Sequence, residues 1–170
     1  MNVFVYGSLM HPDEIKKTFG SDVDFHKSIL TGYLRDFSKK AHSWGSNNSG
    51  RGVLGLTRAS PYWCNGLIIE ELDNAQIDSY YQRETGYSKK DYNTGKSGYK
   101  IKEVDSTQFY FYEDTKEVEG SVLTALINDK LDSAETNEDY RNLCHEAAQE
   151  HGEQFYDDFV DTTFEFYNEV

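Results

Sequence analysis

The first ten residues constrain the chain more than any other stretch. Val3, Phe4, Val5 and Tyr6 make an apolar β-type run that drops into Gly7-Ser8-Leu9-Met10 and then into His11-Pro12-Asp13-Glu14. Pro at the first helical position and acidic residues in the first turn are favoured because orphan amides and a partial positive charge collect at a helix N-terminus. The order therefore reads as strand, tight loop, helix start. A loop in that position offers backbone N–H groups to a carboxylate or phosphate. Gly7 is expected there for close backbone approach and for a positive φ.

A chain of 170 residues fits a single domain with one core, spanning 1–170. Its 30 acidic residues against 17 basic ones give a formal charge of −13. That charge repels nucleic acid and anionic membrane surfaces, so neither is expected as a partner. Cys64 and Cys144 lie far apart without CxxC or Cys/His ligand spacing, which argues against a disulfide framework and against zinc. The histidines show no metal-ligand spacing either, and no metal is expected. The chain opens on a strand, without a basic segment followed by an apolar one, and holds no apolar run of membrane-spanning length. A cytoplasmic location is expected.

A short helix through Ile15 to Phe19 follows the loop, and Ser28 to Phe37 reads as a strand. A polar loop is expected from about Ser38 to Gly50. Gly52 to Ala59 and Trp63 to Ile69 read as two strands paired with each other through a turn at Ser60-Pro61-Tyr62, with the glycines marking bulges or close packing. Asp73 with Gln76 forms a capping box, and Gly86 a plausible stop, for a helix between them. Tyr99 to Asp105 and Gln108 to Tyr112 read as strands, with the loop Asp91 to Gly98 expected to be mobile. From about Asn137 the pattern turns helical, with Tyr140, Leu143, Cys144, Ala147, Ala148 and His151 on one stripe; after Gly152 a second run carries Phe155, Phe159 and Val160. Strands first, one helix among them and helices at the end indicate an α+β domain built on a small mixed, barrel-like sheet with flanking helices.

Glu84 is the sharpest chemical candidate. It falls at i+7 from Ile77 and shares the helix face of Tyr80 and Tyr81 near the C-terminal end. Desolvation and the negative end of the helix dipole both raise a carboxyl's proton affinity there, which suits proton transfer near neutral pH. The alternative is a structural glutamate paired with a lysine or arginine. Ser8 lacks the second glycine of a nucleophile elbow and a marked partner histidine, so its hydroxyl reads as a loop group satisfying the backbone.

Taken in order, Val3-Phe4-Val5-Tyr6-Gly7-Ser8-Leu9, Gly32 to Phe37, Gly66 to Ile69, Arg83-Glu84-Thr85-Gly86-Tyr87 and Phe109 to Tyr112 resemble the γ-glutamylcyclotransferase-like family. The resemblance spans most of the chain. It implies a small mixed α/β structure around a β-barrel, with Tyr6, Gly7, Ser8 and Leu9 holding a γ-glutamyl group mainly through backbone groups and Glu84 transferring protons. Arg35, Tyr87 and Tyr112 are implied as further substrate-binding residues. The implied reaction needs no cofactor: a small γ-glutamyl amide, peptide or glutathione closes to 5-oxoproline and frees an amine. Two other classes stay open, a catalytically silent member binding a metabolite or a protein partner, and a hydrolase or lyase using Ser8.

Overall fold

The computed structural model describes residues 1–40, 51–92, 99–113, 118, 120–127, 135–136 and 138–165. The apolar opening run becomes strand β1 (Asn2–Val5), buried along its whole length. β1 lies between β3 (Arg51–Ile69), which runs antiparallel to it, and β6 (Val122–Ile127), which runs parallel. A strand enclosed on both sides and both faces is apolar wherever its side chains have no hydrogen-bond partner, as at Val3 to Val5; the buried Asn2 at its start accepts from the Glu71 amide at 3.1 Å. The full ladder order is β4 (Tyr99–Val104), β6, β1, β3, β2 (Phe25–Lys40) and β5 (Phe109–Phe111). Two short strands add at the side: β7 (Glu135–Thr136) runs parallel to β3, and β8 (Thr163–Phe164) parallel to β2.

The sheet curls strongly. Phe4 on β1 and Phe109 on β5 stand three ladder steps apart, about 14 Å in a flat sheet, yet their ring centroids are 5.3 Å apart. The curl needs space, and Gly66 of β3 supplies it. A Cβ at Gly66 would lie 2.6 Å from the Phe4 ring and 2.3 Å from the Val5 carbonyl oxygen. The α+β class and the mixed barrel-like sheet are as expected, and the glycine marks the close packing anticipated for this stretch.

The predicted strand pair around Ser60-Pro61-Tyr62 does not form. Both halves belong to the single strand β3 and pair in one ladder with β2, from Phe25↔Ile69 to Lys40↔Gly52. The residues read as a turn are absorbed as an irregularity: the register passes from Thr31↔Trp63 to Tyr33↔Arg58, and Ala59 to Tyr62 bulge out. β2 bends there at Gly32, whose φ is +85°. The Gln108 side chain ties the bend by donating to the Thr31 carbonyl at 3.1 Å. The expected polar loop begins later than Ser38, since β2 reaches Lys40, and its remainder, 41–50, lies outside the described residues, as does 93–98 of the Asp91 to Gly98 loop.

Helix α1 (Pro12–Phe19) carries Pro at its start, and the His11 ring accepts the Asp13 amide as its N-cap. α2 (Asn74–Thr85) has the reciprocal Asp73/Gln76 capping box and ends on Gly86 in a left-handed conformation, φ +79°. α1 and α2 pack together: the Gln76 side chain donates to the Phe19 carbonyl, and the Phe19 and Tyr80 rings stack at 6.3 Å. α3 (Glu138–Gln149) buries Tyr140, Cys144, Ala147 and Ala148, and α4 (Glu153–Thr162) buries Phe155 and Phe159. Val160, expected on the same run, is exposed. The small residues of α3 let it lie directly on the loop after β1. None of the described helices is long and apolar enough to cross a membrane.

Candidate active site

A cavity of about 330 Å³ opens where the loop after β1 meets the C-terminal end of α2. That volume lies within the range of small-molecule sites. Glu84 enters it from the last turn of α2, on the face whose other members Ile77, Tyr80 and Tyr81 are buried. The residue keeps part of its surface accessible because it faces the cavity, while protein surrounds its carboxyl on the remaining sides. Burial pushes that carboxyl above its ordinary value, and the neighbouring Arg83 guanidinium pulls the other way. Glu84 thus has the raised proton affinity expected from the helix face.

The cavity walls around Glu84 are phenolic. Tyr6 donates to the Ala125 carbonyl, and Tyr99 to the Leu54 carbonyl at 2.6 Å. Together with Tyr80 and Tyr140 they line the cavity, and burial first, then neighbouring charge that includes Glu84, holds all these hydroxyls well above their ordinary pKa. They stay protonated near neutral pH and serve as neutral dipoles. Glu84 therefore presents a titratable carboxyl among buried phenols, the setting in which a positioned charge acts most strongly.

The loop residues Tyr6, Gly7, Ser8 and Leu9 form the facing wall. Gly7 has φ −134°, so the expected positive φ is absent. Space is tight on one side of it: a Cβ would sit 3.1 Å from the Tyr140 hydroxyl, which would have to give by a few tenths of an ångström, and in ordinary contact with Leu54 and Cys144. The Ser8 hydroxyl accepts from Arg83 Nη2 at 3.3 Å, and Arg83 Nη1 donates to Glu14 Oε2 at 2.7 Å. That hydroxyl thus meets a guanidinium, a donor that cannot take its proton. The Cys144 thiol behind the loop is driven by burial up to about 12, with the Ser8 amide among the groups opposing the shift. It is a protonated packing group.

The fold brings together Glu84 and Tyr6 to Leu9, and it leaves Arg35, Tyr87 and Tyr112 off the cavity wall. Arg35 is fully buried, its donors taken by Tyr6, Asn65 and the end of α4. Tyr112 donates to Asp158 Oδ2 at 2.6 Å and packs on Phe155, behind the sheet. Tyr87 is exposed beyond the αL stop of α2. Sequence reasoning gave no site role to Arg83, Lys17, Tyr80, Tyr99 or Tyr140, all of which line the cavity. Tyr80 and Arg83 were marked by the α2 face and motif, whereas Tyr99 and Tyr140 arrive from β4 and α3 by tertiary packing that no local pattern records. No cluster able to hold a metal ion occurs among the described residues.

No family model matches the chain, and no curated relative does. Solved structures do. A γ-glutamyl cyclotransferase superposes with TM-score 0.69 at 16% identity, covering 100% of this chain and 92% of its own. An uncharacterized protein from Homo sapiens gives 0.68 at 17%, covering 99% and 91%. A γ-glutamyl cyclotransferase specific to glutathione, from yeast, gives 0.54 at 13%, covering 95% and 94%. The chain has the γ-glutamylcyclotransferase-like fold.

Proposed function

We propose that the chain is a γ-glutamyl cyclotransferase that converts a small γ-glutamyl amide, peptide or glutathione to 5-oxoproline and a free amine. The observation that carries the reading is the placement of Glu84, a carboxyl lifted by burial, across one cavity from the Tyr6 to Leu9 loop. In the proposed step the neutral α-amine attacks the γ-carbonyl carbon of its own molecule. A C–N bond closes the five-membered lactam, and the C–N bond to the leaving amine breaks. The proton lost by the attacking nitrogen passes to the Glu84 carboxylate and from there to the leaving nitrogen, and no water is consumed. Nucleophile and electrophile share one molecule, so holding it folded supplies much of the acceleration. The raised proton affinity of Glu84 matches a group that must take and return a proton near neutral pH. The loop wall orients the substrate and offers backbone amides to the developing oxyanion.

Release of 5-oxoproline from a panel of γ-glutamyl compounds tests the reading. Glu84→Gln keeps shape and hydrogen-bonding reach but cannot titrate, so kcat should fall by at least about a hundredfold while KM changes much less. Full turnover by that variant would remove Glu84 from the chemistry.

A further inference from the structure

The loop that walls the cavity is held at both ends. At its start the Tyr6 carbonyl accepts from Arg35 Nη1 at 3.2 Å. Within it the turn closes on itself, the Met10 amide donating to the Gly7 carbonyl and the His11 amide to the Ser8 carbonyl. The last carbonyl of the turn belongs to the fully buried Met10. The first amides of α1 are spent on His11, that of Asp13 on the ring and those of Glu14 and Ile15 on the carbonyl, and Pro12 has none to give. A buried carbonyl needs a partner, and this one finds the ring of His151, with Nε2 at 2.7 Å. His151 lies at the corner between α3 and α4. Its carbonyl accepts from Lys27 Nζ at 3.3 Å, and its ring meets Phe25 of β2 edge-on at 5.7 Å and Phe155 of α4 at 5.4 Å. A carbonyl can only accept, so Nε2 carries the proton. Burial holds the ring below its ordinary pKa, with Lys27 and His11 acting in the same direction and the Met10 bond and Glu150 opposing it.

Resting on the cyclotransferase reading of the cavity, we propose that His151 is a positioning residue for the reaction: by donating to the Met10 carbonyl it holds the Gly7 to Leu9 wall where a γ-glutamyl group binds. His151 itself lies off the cavity wall and acts only through the loop. Without the bond the loop divides its time between this position and others, and the substrate must draw it back. Apparent affinity falls with the fraction of binding-competent molecules, whereas the saturated enzyme regains the native geometry. KM should therefore rise and kcat hold.

The test measures 5-oxoproline release from glutathione and from γ-glutamylalanine, with urea melts on the same proteins. His151→Leu fills similar space without a donor and should raise KM by roughly twofold to tenfold, the scale of one neutral hydrogen bond, with kcat close to native. His151→Gln, whose side-chain amide donates from a comparable reach, should bring KM back toward native even where its melts show lower stability, a rescue that a residue present only for packing would not give. Should His151→Leu fail to fold, His151→Asn, a donor too short to reach Met10, takes its place with the same rise expected. Native KM in His151→Leu or His151→Asn, a fall in kcat in place of the rise in KM, or a KM in His151→Gln no better than in His151→Leu overturns the inference and leaves the cyclotransferase reading standing. Release by the native chain from neither compound overturns both.

Discussion

A carboxyl that burial lifts above its ordinary value of 4.5 binds its proton more tightly in the folded chain than in the unfolded one. Glu84 therefore costs the fold nothing below the ordinary carboxylate range, and the folded state loses stability as pH rises from there through the raised value. Glu84→Gln cannot ionise, so it should match the native chain in acid and be the more stable of the two near neutral pH. Urea melts across a pH series read this directly. A variant less stable at neutral pH would identify Glu84 as the partner of a structural cation, with Arg83 the first suspect. Ser8 shows the same discipline at a polar residue. Its hydroxyl lies beside Arg83, and that contact decides against a nucleophile more firmly than the missing second glycine does.

At the scale of elements, what the sequence discloses follows the range of the signals. α2 is legible because its signals are local: a capping box, an apolar face and a left-handed glycine stop. With them comes the placement of Glu84. β3 misleads because turn chemistry at Ser60-Pro61-Tyr62 is local, while the long ladder with β2 that keeps both halves collinear is not. β6 goes unread because Val122 to Ile127 is a central strand, buried through Val122 to Ala125. It has no alternation to mark it. β7 and β8 are two residues each and exist only through their partners. The capping box also gives a test of how α2 holds its cavity-facing end. Asp73→Ala removes an N-cap and should lower stability by about 1 kcal/mol. KM for a γ-glutamyl compound should hold, because the other end of α2 is tied by the Arg83–Glu14 pair and by Gly86. A severalfold rise in KM would mean that the N-terminal cap positions Glu84 through the length of the helix.

Across the whole molecule, Arg35 joins parts that are distant in sequence, and this accounts for its separation from the cavity. From β2 its Nη1 donates to the Tyr6 carbonyl at 3.2 Å and to the Asn65 carbonyl, fixing the start of the loop to β3. Nη2 donates to Asn65 Oδ1 at 2.8 Å and Thr162 Oγ1 at 3.0 Å, and Nε to Thr163 Oγ1 at 2.8 Å, while the guanidinium stacks on Phe159 at 4.3 Å. The end of α4 and strand β8 are thereby locked to the sheet beneath the site. A ligand-binding arginine needs donors free to meet the ligand, and these are spent inside the protein. Arg35→Met would keep much of the packing volume but leave buried carbonyls of Tyr6 and Asn65 without their donor, at roughly 1–3 kcal/mol for each unsatisfied group. Urea unfolding should show a loss of about 3 kcal/mol or more. Near-native stability combined with a severalfold higher KM would return Arg35 to the substrate-binding role that the family resemblance implies.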